Sequence, residues 1–188
     1  MPNYCNNNLK LHHADPAMIE RAAKAFQEHR LLEEFVPVPP ELKETMAGSY
    51  GDGYKRELHE FTQQLNRKYF GHANWYDFCV SEWGTKWDVG GDDSYLSRDT
   101  PNEISMGFES AWSPPIYAYE KLQALGFQVT AYYWEPGMGF CGRFDSDGDY
   151  YLEGIGDAKD AAKRIPKDID DEMHIVADLE SWEDMENE

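Results

Sequence analysis

The stretch Phe127-Gln128-Val129-Thr130-Ala131-Tyr132-Tyr133-Trp134 decides the fold class. Aromatic and β-branched residues dominate it, a composition that suits a strand better than a helix. Pro136-Gly137 turns the chain, and Met138–Phe144 can return as its antiparallel partner. Asp147-Gly148 is a second hairpin signal, ahead of Tyr150–Leu152. Upstream, Ile104, Met106 and Phe108 alternate with Ser105, Gly107 and Glu109, the period of a half-buried strand. Leu9 and Leu11 alternate with Lys10 and His12 in the same way.

Helical signals lie between these strands. Asp15-Pro16 supplies an N-cap and a proline at the first helical position, and Ile19, Ala22, Ala23 and Phe26 follow at helical spacing. Val36-Pro37-Val38-Pro39-Pro40 is extended by its prolines. Gly48 to Gly53 reads as a flexible loop, and Leu58, Phe61, Leu65 and Tyr69 form the apolar stripe of a second helix. Trp75, Phe78 and Cys79 predict a short third helix ending at Gly84. Ser113-Pro114-Pro115 opens a further helix through Ile116, Tyr119 and Leu122, closed by Gly126. The order predicts an α+β fold, a small antiparallel sheet with helices packed on one face.

The chain has 188 residues, of which 41% are hydrophobic and 14% aromatic, enough to build a core. It carries 36 acids against 17 bases, a formal net charge of -19. That balance argues against direct binding of nucleic acid or an anionic membrane, because phosphate-binding surfaces gather Lys and Arg. Cys5, Cys79 and Cys141 are too few and too scattered for a disulfide framework. The polar N-terminus lacks a secretory apolar core, and no apolar run reaches the roughly 18 residues of a membrane span. The expectation is a cytoplasmic protein.

The charge is uneven. Lys167–Glu188 holds 10 acids and one base, nearly half the excess in about an eighth of the chain. Ile169, Met173, Val176, Leu179 and Trp182 recur there every three or four residues, which predicts an acidic amphipathic helix. The organisation expected is a domain over 1–160, with a helical insertion at about 41–73, and an acidic helical appendage over 161–188. That appendage either packs on its own domain or docks Val176, Leu179, Trp182 and Met185 on another protein or a second copy.

Four segments carry a family resemblance: Met1-Pro2-Asn3-Tyr4-Cys5-Asn6-Asn7, Trp83-Gly84-Thr85-Lys86-Trp87-Asp88, Ala111-Trp112-Ser113-Pro114-Pro115 and Glu135-Pro136-Gly137-Met138-Gly139-Phe140. Together they span roughly residues 1–155 and resemble the YubB-like ferredoxin-fold family of phages, conjugative plasmids and related mobile elements. Tyr4 departs from the tryptophan expected there but keeps an aromatic ring. The resemblance implies a ferredoxin-like sheet and a bacterial host's cytoplasm as the setting. It implies no reaction, since the family has no established activity.

Candidate chemistry is sparse. Asp145, Asp147 and Asp149 alternate as in a calcium loop, but the sixth and twelfth positions are Tyr150 and Gly156. A hairpin turn explains the same residues. Cys5, His12 and His13 could meet Cys79 or Cys141, yet no zinc-ligand spacing is present. Gly137-Met138-Gly139 lacks the third glycine of a dinucleotide motif, and there is no P-loop lysine and no nucleophile elbow. Three cysteines cannot ligate a conventional iron–sulfur cluster. No catalytic residue, metal site or cofactor is assigned.

The aromatic motifs have two readings. Trp83, Trp87, Trp112 and Trp134 fill a core, or they wall a pocket in which Lys86, Asp88 and Glu135 supply directing charges, with Met138 and Phe140 beside them. Lys86 and Glu135 could also pair across neighbouring elements. Three functions follow as expectations. The first is a non-catalytic mobile-element accessory protein that binds a host protein, in host takeover or anti-defence. The second is an acidic DNA mimic that inhibits a nuclease or restriction enzyme. The third is a small-ligand binder or enzyme using the aromatic pocket.

Overall fold

The structure, a computed structural model, describes residues 3–186. In chain order the elements are β1 (Tyr4–His12), α1 (Pro16–Gln27), α2 (Leu31–Phe35), α3 (Pro40–Lys43), α4 (Gly53–Phe70) and α5 (Trp75–Glu82). Then come β2 (Tyr95–Thr100), β3 (Glu103–Ala111), α6 (Ile116–Ala124), β4 (Gln128–Glu135), β5 (Phe140–Asp145) and β6 (Gly148–Leu152). The chain closes with α7 (Ala158–Arg164), α8 (Lys167–Met173) and α9 (Ile175–Glu186).

The strands form one antiparallel sheet in the order β2-β3-β1-β4-β5-β6. β1 lies centrally, with Leu9 opposite Met106 on one side and Ala131 on the other. The run β1-α1-β2-β3-α6-β4 in the order β2-β3-β1-β4 is the ferredoxin-like arrangement, and β5 and β6 extend it beyond β4. The fold is α+β, as the alternating segments predict. β2 escaped the sequence reading because its Ser97-Arg98-Asp99 run has no apolar alternation, as suits a sheet edge.

Strand alternation sends Leu9, Leu11, Ile104, Met106, Phe108, Val129 and Ala131 to one face. There they pack against Ile19, Ala22 and Phe26 of α1 and Ala118, Tyr119 and Leu122 of α6. Full burial of each large side chain is worth about 1.5–3 kcal/mol, so this face holds most of the stability. Asp15 caps α1 as its sequence suggests, its Oδ1 accepting from Ala17 N at 2.9 Å.

The acidic stretch from Lys167, expected as one helix, is two, α8 and α9, and α7 precedes them. Pro166 starts α8 after Ile165, and His174 ends it in the left-handed region at φ 54. These helices cover part of the second sheet face, so helices lie on both sides of the sheet. Ile155, Ala158, Ala161, Ile165, Ile169, Ile175 and Leu179 bury Trp134 and Cys141. Leu179 is buried and Val176 half-buried in this cluster, so two of the four docking candidates are used within their own chain. Trp182 and Met185 remain exposed. The helical insertion is wider than 41–73: α2 to α5 all lie between α1 and β2, where the basic topology needs only a short connection.

Candidate functional site

The tail covers the β4–β5 side of the second face and leaves the β2-β3-β1 side open. Alternation points Tyr4, Asn6, Asn8 and Lys10 of β1 outward there, beside Gly107 and Glu109 of β3. The loop from Trp87 to Tyr95 rises at one edge and encloses a groove of about 750 Å³. Past Asn8 and Gly107 a second lobe of about 410 Å³ is bounded by Lys10, Ser105, Thr130, Tyr132 and Glu172. Asn8 Nδ2 donates to Glu172 O at 3.0 Å and so ties the floor to α8.

The groove is acidic. Asp92, Asp93 and Glu109 line it exposed, and Glu172 stands at the opposite wall. Lys10 is engaged by Glu103 at 3.3 Å. Three partly exposed aromatic rings, Tyr4, Trp87 and Tyr95, share the lining with Asn6, His29 and Ser94. A groove lined by both carboxylates and aromatic rings suits a cationic group, which gains Coulomb attraction and cation–π contact.

The rim of this groove joins two of the motif segments. Ser113 Oγ donates to Gly84 O at 2.5 Å, Thr85 Oγ1 to Ala111 O at 2.9 Å, and Ala118 N to Trp83 O at 3.2 Å. A Cβ on Gly84 would sit 3.1 Å from Ile116 N at φ +91, so only glycine allows this approach. Trp112, held between these bonds, adopts φ 71, a left-handed conformation that is rare for a bulky residue. Its N–H donates to Asn3 O at 2.9 Å. The result is a half-exposed indole. Lys86 Nζ lies 4.4 Å from the Trp87 ring centroid and 5.1 Å from that of Trp112, a lysine between two indoles. Tyr76 extends the platform by an edge contact to Trp112 at 6.2 Å.

The remaining site candidates separate by burial. Trp83 is buried and donates from Nε1 to Val36 O at 2.8 Å, a core role, although it borders a shallow depression of about 340 Å³ with Lys86 and Trp87. Asp88 accepts from Leu32 N, Glu33 N and Val89 N, each at 2.8 Å, and so caps α2 from a distant loop. Burial raises its carboxyl to about 6, against the downward pull of those three donors. Glu135 is buried and accepts from Gly137 N at 3.1 Å and Met138 N at 2.5 Å, closing the β4–β5 turn. It does not pair with Lys86, whose cation is held by the indoles. Trp134 belongs to the tail core, Phe140 packs on Tyr133 and Tyr151, and Met138 is exposed. The aromatic pocket of the sequence reading is therefore a smaller surface of Lys86, Trp87 and Trp112, with Trp83, Trp134 and Phe140 given over to core.

Sequence reasoning missed the groove's acids, Asp92, Asp93 and Glu109, because nothing in the local pattern says which strand face stays uncovered. Burial pushes the Cys79 and Cys141 thiols up to about 12, and Cys5 upward too, with the Glu135 charge adding to it. Such thiols are poor nucleophiles at neutral pH. Asp145 serves the β5–β6 turn, its Oδ1 accepting from Asp147 N at 2.8 Å, and Asp149 Oδ1 on β6 accepts from Tyr133 Oη of β4 at 2.7 Å. Among the described residues no group of three or more His, Cys, Asp or Glu side chains is placed to hold a metal ion. No described helix is long and apolar enough to cross a membrane.

No family model and no curated protein matches the chain. Among solved structures it is similar to the crystal structure of the protein api92 from Yersinia pseudotuberculosis, of the family model DUF1281. The likeness has 12% identity and a TM-score of 0.44, covering 83% of this chain and 99% of that one.

Proposed function

We propose that the chain is a non-catalytic protein-binding module that takes a positively charged segment of a partner in its acidic groove. The observation that carries this reading is the pairing of exposed carboxylates, Asp92, Asp93 and Glu109, with the half-exposed rings of Tyr4, Trp87 and Tyr95. Lysine and arginine side chains satisfy both at once. The strained Trp112 and the Lys86 between two indoles support it, because exposed tryptophans on a rigid rim are frequent anchors of binding energy. On the resemblance of its motifs, the setting is a mobile element in the cytoplasm of a bacterial host, and the partner a host protein.

A peptide rich in Lys and Arg is the direct probe, titrated against the intrinsic tryptophan emission. Binding is expected, and the triple variant Asp92→Asn, Asp93→Asn, Glu109→Gln should weaken it by about tenfold or more, since each lost charge contact is worth roughly 0.5–1 kcal/mol. Binding that ignores the triple variant, or no binding at all, would defeat the proposal. The DNA-mimic reading predicts a different result: competition with duplex DNA for a nuclease that depends on acids across the whole surface.

A further inference from the structure

The insertion helix α4 is attached the wrong way round for a helix of a lone domain. Tyr54, Leu58, Phe61, Leu65 and Tyr69 share one face at intervals of four and three residues. A stripe of this kind normally faces a core. Here every member is exposed: Tyr54 76%, Leu58 51%, Phe61 55%, Leu65 38% and Tyr69 69%. The helix is instead held by its polar edge. His59 and Gln63 bond Gly48 O, each at 3.0 Å, and Asn66 Nδ2 donates to Thr45 Oγ1 at 2.9 Å and Ala73 O at 3.0 Å. Asn66 is the one buried residue of α4.

We infer that α4 is the interface of a homodimer in which two copies of the helix pack antiparallel across a two-fold axis. Three observations select a second copy as the occupant. The stripe reads nearly the same in both directions, Tyr-Leu-Phe-Leu-Tyr, with Phe61 at its centre. A two-fold axis midway between Phe61 and Thr62 sets Tyr54 level with the partner's Tyr69 and Leu58 level with the partner's Leu65, and it brings the two Phe61 rings within about 1.5 Å of one level. The charges fit the same register. Glu57 and Lys68 flank the stripe on one side, and antiparallel pairing brings Glu57 within about 3 Å, along the axis, of the level of the partner's Lys68. This ion pair occurs twice.

Net charge permits the contact as well. Within a chain of -19, α4 carries Lys55, Arg56, Arg67 and Lys68 against Glu57 and Glu60, so two copies meet through this helix without acid facing acid. The exposed stripe offers on the order of 500 Å² per protomer. Two such faces reach the low end of what a specific interface buries, about 1,000–1,200 Å². The groove lies on another surface, so dimerisation would present two grooves to one partner.

The test is the mass of the full chain in solution by light scattering and sedimentation across a concentration series. A dimer of the 21.7 kDa chain is expected. Phe61→Glu should weaken the dimer by about a hundredfold or more, since it sets two carboxylates together at the dyad. Phe61 is exposed, so the thermal midpoint of the dissociated variant, measured at low concentration, should match the wild-type monomer. Glu57→Lys should weaken the dimer by about tenfold, and Glu57→Lys with Lys68→Glu should restore it. A monomer at every soluble concentration overturns the inference, as does a dimer indifferent to Phe61→Glu. A charge-swapped double variant that stays dissociated overturns the antiparallel register.

Discussion

At Trp112 the backbone works against its own side chain. The left-handed conformation costs a residue with a Cβ about 1–2 kcal/mol, and its own N–H bond to Asn3 O, with the bonds Ser113 and Thr85 donate nearby, holds it there. Glycine at this position would relieve the strain and lose only a half-exposed ring. Trp112→Gly is therefore expected to change unfolding free energy by less than about 1 kcal/mol in a denaturant titration, while it weakens the basic-peptide complex. Asp88 behaves in the opposite way, for its carboxylate is wholly occupied by structure. Asp88→Ala strands three backbone N–H groups and should cost about 2–3 kcal/mol; Asp88→Asn keeps one acceptor and should cost less. Because burial raises this carboxyl in the folded chain, the folded state binds the proton more tightly than the unfolded one. Its contribution to stability is present at low pH and lost as pH rises from 3.8 to about 6. The difference in stability between wild type and Asp88→Asn should show that slope and flatten above it.

Among the elements, the tail helices have changed their meaning most. Their apolar positions were legible in the sequence as a periodic stripe, but a stripe does not say what covers it. The sheet supplies the cover, since Trp134 and Cys141 stand on the second face where α7–α9 can bury them. Polar ties fix the arrangement: Arg143 Nη1 donates to Asp168 Oδ2 at 2.5 Å, Val176 N to Asp170 Oδ1 at 2.9 Å and Ala158 N to Glu183 Oε1 at 2.8 Å. Leu179→Ala should therefore cost about 2–4 kcal/mol, while Trp182→Ala, on the exposed side, should cost less than about 0.5 kcal/mol. Chemical denaturation of both variants checks the contrast, and equal costs would mean that the stripe is not packed as described. α4 is the reverse case. Its stripe was equally clear in sequence, and the structure leaves it bare because Asn66, Gln63 and His59 anchor the other side.

Across the whole molecule, the charge of -19 acts in two ways. Like charges repel within the folded chain, and salt screens them over a Debye length of about 10 Å at 0.1 M. Unfolding midpoints should therefore rise with added sodium chloride, while affinity for a basic peptide falls. Opposite slopes from one titration series would separate the fold's electrostatics from the groove's. A midpoint insensitive to salt would place the acids too far apart, or too well paired, for repulsion to matter.

What the sequence determined by itself is local. Periods of two and of 3.6, the Asp15 cap and the turn signals at Gly84, Gly126 and Asp147-Gly148 name most of the strands and helices, because backbone sterics and alternation act over a few residues. What only the tertiary structure decided is which faces meet. The tail shields one half of the second sheet face and leaves the other as an acidic groove; Trp83 and Trp134 go to core while Trp87 and Trp112 stay at the surface; and the α4 stripe is turned to solvent. Burial is a property of pairs of surfaces distant in sequence. No local pattern in one of them reveals whether the other arrives.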